Sequence, residues 1–368
     1  MLRVLSVIGT RPEAIKMAPV LLELQRHADR IRSRVCVTGQ HRQMLDSALG
    51  IFDIEPHFDL DVMRPNQKLS ALTARLLTAF DRAISEDKPD WVLVQGDTTT
   101  AMAASLVAFY HRVKVGHVEA GLRTHDNYSP FPEEVNRRIA DVLATLYFAP
   151  TEVNRQALLR ENVAADKVLV TGNTVIDALH LVAERVRDKP LEGEFGVTNG
   201  QRLILVTAHR RENFGAPLLD ICEGLREIAV RYADVHLVYP VHPNPNVRRP
   251  VFERLGSIPN VSLVEPVDYP TLVQLMCRAH IVVTDSGGLQ EEAPSLDKPV
   301  LVLRECTERP EVVALGAARL VGTCRKRIVE EVSRLLDDDR AYRAMVGVEN
   351  PYGDGHASGR IVAALLGS

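Results

Sequence analysis

The chain has 368 residues, of which 46% are hydrophobic and 25% charged, as in an ordinary globular protein. At about 150 residues per domain, this length predicts about two domains. The 44 basic and 48 acidic residues give a formal net charge of −4, which argues against a strongly basic nucleic-acid-binding protein. Aromatic residues make up 5%, with Trp91 as the single tryptophan, which disfavours a surface that stacks bases or sugars.

The amino-terminal segment and the cysteines point to a cytoplasmic enzyme. Residues 1–14 run directly into a strand-like pattern and lack the basic and apolar segments of a secretory signal. No apolar run approaches the ~18 residues of a membrane span. The five cysteines are scattered without a CxxC pair, so we expect core thiols rather than disulfides or metal ligands.

Short apolar runs alternate with longer segments of helical spacing. The runs fall into two series, at residues 4–8, 35–38, 91–94, 113–118 and 146–149, and at residues 203–207, 237–241, 261–264, 281–284 and 300–303. Such alternation predicts parallel sheets covered by helices on both faces. The sequence therefore predicts an α/β protein with two doubly wound, Rossmann-like domains that face a cleft.

A glycine-containing turn at residues 171–174 separates the two series, which predicts domains at residues 1–172 and 173–352. Residues 353–368 contain a final helix, expected near residues 356–366, that either caps the second domain or packs on the first.

The informative polar residues come directly after strands, where open parallel sheets bind their ligands. After the first run, Gly9 leads into a helix that carries Arg11 and Lys16, a pattern that suits an anion. A capped helix with two surface cations explains the same residues. The chain has neither a GxGxxG nor a GxxxxGK[ST] motif, which disfavours dinucleotide redox chemistry and nucleoside-triphosphate hydrolysis.

In the second half, Asp285 is followed by Ser286, Gly287 and Gly288 at the start of a predicted helix. Free amides and a close backbone approach at such a start suit a diphosphate. The carboxylate of Glu292, one turn later, can accept both hydroxyls of a ribose. Ordinary complementarity to the helix dipole is the structural alternative.

Three acids, Asp97, Glu119 and Glu133, follow strands or lie in the proline-rich loop of the first half. If they border one cleft, they raise one another's pKa and serve as acid and base; a helix cap or salt bridge explains each one singly. His209 and Arg309 follow strands of the second half, and Arg309 has Glu308 or Glu311 as alternative partners. The choice for His242, ligand contact or core histidine, stays open. No residue set has metal-ligand spacing. Together these features indicate a nucleotide-sugar enzyme.

The same residues carry a resemblance that covers essentially the whole chain. The strings are GTRPEAIKMAP (9–19), GDTTT (96–100), GHVEAGLRT (116–124), PFPEE-NRR (130–138), TGNTVIDAL (171–179), HRREN (209–213), TDSGGLQEEAPSL (284–296), TERPE (307–311) and NPYGDG (350–355). They resemble the bacterial non-hydrolysing UDP-N-acetylglucosamine 2-epimerases.

The resemblance implies a fold of the glycosyltransferase-B type, a homodimer, a C-terminal helix returning to the first domain, and no cofactor. It implies reversible conversion of UDP-N-acetylglucosamine to UDP-N-acetylmannosamine for surface polysaccharides, through loss of UDP to a 2-acetamidoglucal and its re-addition. The implied catalytic residues are Asp97, Glu119, Glu133 and His209, without assignment of the acids to the two faces of carbon 2. The implied substrate-binding residues are Arg11, Lys16, Leu272, Ser286, Gly287, Gly288, Glu292 and Arg309. Domain closure is expected to exclude water.

Many bacterial members also bind a second UDP-N-acetylglucosamine as an activator. Gln43, Gln67, Arg210 and His242 match positions implicated in that site, whereas Asn66 stands where an arginine is frequent, so we expect weaker activation. Three other functions remain: a hydrolysing epimerase that releases N-acetylmannosamine and UDP, a glycosyltransferase of the same fold, and a nucleotide-sugar sensor without turnover.

Overall fold

The computed structural model describes residues 1–39, 42–64, 67–190, 195–198 and 200–368, with side chains except at residues 42–44. The chain forms two compact units. Unit 1 consists of Met1–Leu181 and Tyr352–Ser368, and unit 2 of Val182–Pro351.

Unit 1 contains a seven-stranded parallel sheet with the order β3-β2-β1-β4-β5-β6-β7. Its strands are β1 (Leu2–Ile8), β2 (Ile31–Val37), β3 (Phe58–Asp59), β4 (Trp91–Gln95), β5 (Lys114–Val118), β6 (Leu146–Ala149) and β7 (Val168–Val170). Consecutive residues of β1 and β4 are buried although they point to opposite faces, because helices cover the sheet on both sides. The helices are α1 (Arg11–Arg26), α2 (Arg42–Gly50), α3 (Leu69–Asp87), α4 (Thr99–Tyr110), α5 (Glu133–Leu143), α6 (Glu152–Arg160), α7 (Thr174–Val186) and, at the other end of the chain, α15 (Ala357–Leu366).

Unit 2 contains a six-stranded parallel sheet with the order β10-β9-β8-β11-β12-β13. Its strands are β8 (Arg202–Thr207), β9 (Val235–Pro240), β10 (Val261–Val264), β11 (Ala279–Thr284), β12 (Val300–Val302) and β13 (Ala318–Leu320). Its helices are α8 (Ala216–Arg231), α9 (Pro245–Leu255), α10 (Tyr269–Arg278), α11 (Gly287–Glu292), α12 (Pro310–Ala314), α13 (Arg325–Asp337) and α14 (Asp339–Arg343).

The two sheets confirm the prediction of two doubly wound α/β domains. In each sheet the first strand lies beside the fourth, β1 beside β4 in unit 1 and β8 beside β11 in unit 2. From the first strand the sheet grows in one direction, and from the fourth strand it grows in the other. In such folds the gap beyond the carboxyl ends of these two strands is the usual place for a ligand. The segments after β1, β4, β8 and β11 are therefore the first place to look for a site.

The C-terminal segment is built into unit 1. The carboxylate of Asp177 in α7 accepts hydrogen bonds from the amides of Ala357 (3.1 Å) and Ser358 (2.8 Å) and so caps α15. The amide of Asn173 donates to the carbonyl of Tyr352 at 2.6 Å. Helix α15 then packs against α1.

These contacts explain where the observed units differ from the predicted domains. Residues 173–181 and Tyr352 were predicted to belong to the second domain. The contacts place them in unit 1 instead.

The burial of the cysteines and the length of the helices bear on two further expectations, core thiols and the lack of a membrane span. Cys36 and Cys222 are buried and Cys277 is half-buried, but Cys306 and Cys324 are exposed, so the expectation of core thiols is wrong for the last two. Both exposed thiols lie in loops after short strands, where a small apolar residue need not be covered. Within the described residues, no helix has the length and apolar character required to span a membrane.

Candidate functional site

The start of α1 is tied to the start of α4 by a buried carboxylate. Glu13 accepts hydrogen bonds from the amide of Gly9 (3.1 Å) and the hydroxyl of Thr98 (2.8 Å). Its burial raises the pKa of Glu13 to about 7, although these hydrogen bonds act in the opposite direction. Glu13 therefore joins the segments after β1 and β4. Arg11, the first residue of α1, is half-exposed beside them.

Glu119 follows β5 and is the most fully contacted of the three predicted catalytic acids. The ammonium of Lys16 lies 2.7 Å from its carboxylate, the side-chain amide of Asn173 donates to it at 3.3 Å, and Gln95 donates as well. Its backbone adopts φ +66°, a left-handed conformation that is uncommon for a glutamate. The surroundings thus hold Glu119 in one orientation at a strand end.

Asp97 follows β4 and pairs with Arg137 of α5, while the side-chain amide of Asn136 donates to the Asp97 carbonyl at 3.0 Å. A Cβ atom built on Gly96 would lie 3.9 Å from a carboxylate oxygen of Glu119. The turn that carries Asp97 and the carboxylate of Glu119 are therefore neighbours. Asp97 and Glu119 each pair with their own cation, as in the salt-bridge alternative given for each acid.

The proline-rich loop places two adjacent glutamates differently. Glu133 begins α5 and is half-exposed. Glu134 is buried and accepts hydrogen bonds from the amides of Thr124 (3.0 Å) and His125 (3.2 Å). Glu134 therefore fixes the loop after Glu119, and Glu133 remains accessible to a ligand.

In unit 2, the loop after β8 is organised by Asp285, which follows β11 and is fully buried. One of its carboxylate oxygens accepts hydrogen bonds from the amides of His209 and Arg210, both at 2.8 Å, and from the side chain of Asn213 at 3.0 Å. The other oxygen lies 3.4 Å from Nδ1 of His209. Partial burial lowers the pKa of His209, and the charge of Asp285 opposes that effect.

The glycine-rich segment after β11 collects the predicted nucleotide-binding residues. A Cβ atom on Gly287 would lie 3.1 Å from Cζ of Arg309, so a larger residue here would displace the guanidinium by a few tenths of an ångström. Arg309 is oriented by Glu291, whose carboxylate accepts from Nε at 2.8 Å. The structure thus brings the Arg309 guanidinium beside Gly287.

Glu292 is buried in the same segment and accepts a hydrogen bond of 2.6 Å from the hydroxyl of Tyr269. Tyr269 and Leu272 are three residues apart on α10, so they share one face of that helix. Leu272 is half-buried there. The carboxylate of Glu292 also lies near Gly288, where a built Cβ atom would be 3.8 Å from it.

The residues predicted for an activator site are found in both units. In unit 2, the ring of His242 stacks on the ring of His209, with centroids 5.6 Å apart, and Nε of Arg210 donates to the Asp285 carbonyl at 2.9 Å. In unit 1, the side chain of Gln67 accepts from the Arg64 amide at 3.1 Å. The side chain of Gln43 and the whole of Asn66 lie outside the described residues.

Several residues of the site were missed by the sequence-based interpretation. Glu13, Glu134 and Asp285 are buried carboxylates that orient loops, and Arg137 pairs with Asp97. All four lie in the strings that carry the family resemblance, which was a signal, but the letters do not show which of these residues orient a loop. Among the described residues, no group of three His, Cys, Asp or Glu side chains is arranged to hold a metal ion.

The chain is similar to known proteins over nearly its whole length. A family model described as UDP-N-acetylglucosamine 2-epimerase matches residues 22–366. The UDP-N-acetylglucosamine 2-epimerase of Escherichia coli (strain K12) is 53% identical over 370 residues, which cover 99% of this chain and 98% of that protein.

Solved structures show the same likeness. The structure of UDP-GlcNAc 2-epimerase from Neisseria meningitidis bound to UDP-GlcNAc has a TM-score of 0.90, 49% identity and 100% coverage of both chains. The Methanocaldococcus jannaschii enzyme in complex with UDP-GlcNAc and UDP has a TM-score of 0.78 and 31% identity, again over 100% of both chains.

Proposed function

The chain belongs to the UDP-N-acetylglucosamine 2-epimerase family, an isomerase family, and from this premise we propose that it interconverts UDP-N-acetylglucosamine and UDP-N-acetylmannosamine without hydrolysis. The observation that carries the proposal is the neighbourhood of Asp97 and Glu119 in unit 1, each beside its own cation. An epimerisation needs two acid/base groups, one for each face of carbon 2. The product would serve the synthesis of surface polysaccharides.

In this proposal, unit 2 binds the UDP moiety. The amides of Gly287 and Gly288 and the guanidinium of Arg309, which lies beside Gly287, bind the diphosphate. Ser286 contributes its hydroxyl, because its amide already donates to the Thr284 hydroxyl at 2.9 Å. Glu292 accepts the ribose hydroxyls, and Leu272 packs on the nucleoside from the same side. Arg11 of unit 1 adds a further cation, and His209 assists at the phosphate as UDP leaves.

Unit 1 carries the chemistry at carbon 2. A base from the set Asp97, Glu119 and Glu133 takes the proton from carbon 2 while the bond from carbon 1 to the UDP oxygen breaks. The electron pair of the broken C–H bond forms the double bond of a 2-acetamidoglucal, and UDP leaves as an anion. A second acid of the set delivers a proton to the opposite face, and the UDP oxygen adds back to carbon 1. Lys16 holds Glu119 in place throughout.

Proton NMR of UDP-N-acetylglucosamine with the enzyme in heavy water tests this function. We expect both UDP-sugars at equilibrium, each with deuterium on carbon 2, and no accumulation of UDP. UDP that appears in step with free N-acetylmannosamine would instead establish the hydrolysing reaction. A requirement for an added acceptor before any exchange would establish a glycosyltransferase, and UDP binding without any turnover, unchanged in Asp97→Asn, a sensor.

We also propose a second UDP-N-acetylglucosamine site for activation, formed by Gln43, Gln67, Arg210 and His242. Its support is the stacking of His242 on His209, which offers a direct path from an activator to a predicted catalytic group. UDP-N-acetylmannosamine as the only substrate should then react slowly until UDP-N-acetylglucosamine is added. A full rate without that addition would contradict the proposal.

The assembly that we propose is a homodimer, as the family resemblance implies. Sedimentation equilibrium should give the mass of two chains, and a single-chain mass at assay concentrations would contradict it.

A further inference from the structure

His117 of β5 is completely buried between two hydrogen-bond acceptors. Its Nδ1 lies 2.6 Å from a carboxylate oxygen of Asp141, and its Nε2 lies 2.8 Å from the carbonyl oxygen of Gly96. A carbonyl oxygen and a carboxylate only accept, so both ring nitrogens must carry a proton. Burial alone lowers the pKa of His117, but Asp141 and the Gly96 carbonyl outweigh burial and raise it. The ring is therefore an imidazolium.

Asp141 also forms an ion pair with a second cation. Its second carboxylate oxygen lies 2.8 Å from the guanidinium of Arg123, which also pairs with Glu161 at 2.7 Å. The side chains of His117, Asp141 and Arg123 are at most 2% exposed, whereas Glu161 is 35% exposed. Two cations and two anions alternate, so each buried charge is compensated by a neighbour. We call these four residues the His117 chain.

The His117 chain connects the segments that carry the three predicted catalytic acids. Gly96 directly precedes Asp97, and Asp141 lies on α5, the helix that begins with Glu133. Arg123 closes the turn that starts at Glu119. The hydrogen bonds and ion pairs of this chain therefore set the spacing of the three segments from inside the protein.

We propose that His117 is a positioning residue for the epimerisation: its imidazolium, held by Asp141, clamps the Gly96 carbonyl and fixes Asp97 relative to Glu119 and Glu133. The inference rests on the proposed function of these acids. His117 is buried and does not itself touch the substrate. Proton transfer depends on sub-ångström placement, whereas the proposed UDP contacts lie in unit 2 except for Arg11, which is not part of the His117 chain. Loss of His117 should therefore lower kcat and leave KM nearly unchanged.

Nitrogen-15 NMR of the wild-type protein gives the first test. We expect both ring nitrogens of His117, assigned by loss of their signals in His117→Gln, to stay protonated from pH 6 to pH 8. A signal of an unprotonated ring nitrogen at pH 7 contradicts the clamp, because a neutral ring cannot donate to both partners. The measurement does not depend on the activity of any variant, and only the assignment requires a folded His117→Gln.

Kinetics give the second test. Leucine at position 117 removes both hydrogen bonds, whereas glutamine can still donate to Gly96. We expect kcat to fall roughly 100-fold in His117→Leu and about 10-fold in His117→Gln and Asp141→Asn, with KM within about threefold of wild type. Tyr147→Phe is the matched control, because the Tyr147 hydroxyl donates to the backbone carbonyl of Asp141 (2.8 Å) and not to the chain of charges.

The outcomes separate the inference from the function on which it rests. A wild-type protein that fails to epimerise refutes the function. An active wild type whose folded His117→Leu variant keeps its kcat, or whose Tyr147→Phe variant loses as much, refutes the positioning role. Trp91 emission reports whether each variant is folded; if His117→Leu is not, Asp141→Asn and the NMR result decide.

Discussion

The ammonium nitrogen of Lys16 lies 2.7 Å from both carboxylate oxygens of Glu119. Their side chains are only 20% and 7% exposed, so the pair is largely shielded from water. Removing one member leaves a buried charge without its partner, which costs more than losing an exposed pair. We expect Lys16→Met to lower the free energy of unfolding of unit 1 by about 2 kcal/mol and Lys16→Met/Glu119→Gln to regain about half of it.

Trp91 is the only tryptophan and is buried in β4, so its fluorescence in urea reports the unfolding of unit 1. Arg155→Met serves as the control, because Arg155 pairs with Glu152 in an exposed part of the same unit. It should change stability by less than about 0.5 kcal/mol. Equal losses in Arg155→Met and Lys16→Met would argue against a special cost of the buried pair.

Glu13 should make unit 1 less stable as the pH rises from 4.5 towards 7. Below this range the carboxyl is protonated in both states. Within it the unfolded chain, with a pKa of 4.5, loses its proton before the folded protein, with a pKa of about 7, so the free energy of unfolding falls and then levels off. The total loss is about 3 kcal/mol.

Urea titrations followed by Trp91 fluorescence at several pH values check this. The amide of Glu13→Gln cannot ionise, so the free energy of unfolding of this variant should not fall with Glu13 titration. The difference in stability between the variant and the wild type should therefore shift in favour of the variant across the same pH range. Glu55→Gln, at an exposed glutamate of unit 1, should run parallel to the wild type. Parallel curves for Glu13→Gln as well would contradict a raised pKa of Glu13.

Asp285 should set the pKa of His209 and also hold the loop after β8 in place. Its charge raises the pKa of His209 against the effect of burial, so Asp285→Asn should lower that pKa further. If His209 acts as a cation at the leaving phosphate, it must be protonated, so the alkaline limb of the pH–kcat profile moves to lower pH. The looser loop should also cost about 10-fold to 100-fold in kcat. Asp268→Asn, at the cap of α10, is the control and should leave the limb in place.

Tyr269 should contribute to nucleotide affinity through Glu292. Tyr269→Phe removes the 2.6 Å hydrogen bond that orients this buried carboxylate. We expect UDP to bind roughly 10- to 150-fold more weakly in calorimetry, in line with about 1.5–3 kcal/mol for a hydrogen bond to a charged group, with kcat nearly unchanged. Tyr342→Phe loses a hydrogen bond to the His280 carbonyl in the same unit and should bind UDP as the wild type does. If Tyr269→Phe bound UDP as tightly as the wild type, the Tyr269 hydrogen bond would not be what orients Glu292 for UDP.

Much of the fold could be predicted because its central strands are continuous apolar runs. Strands buried on both faces need such runs, and each predicted run overlaps an observed strand. The three strands that were not predicted, β3, β7 and β13, have two or three residues and lie at sheet edges. A pattern of two or three residues has no period, and its pairing depends on the neighbouring strand.

The site could be located but not resolved into roles. Glycine and charge after a strand mark a ligand-facing loop, which is why Asp97, Glu119 and residues 286–288 were found. Whether Glu133 or Glu134 faces inward depends on where α5 begins, and the adjacent letters do not reveal it. His117 is preceded and followed by apolar strand residues, so its sequence context predicts an ordinary core residue. Its partner Asp141 reaches it only because α5 packs against β5.

The cap that Asp177 forms on α15 joins parts of unit 1 that are far apart in the order of synthesis. At ~5–20 residues per second, a ribosome needs on the order of ten to thirty seconds to make unit 2 between them. During that interval the nascent first half lacks its last helix, and the α1 surface that this helix covers is open to water or to a chaperone. Unit 2 can therefore finish folding before the domain in which it is inserted.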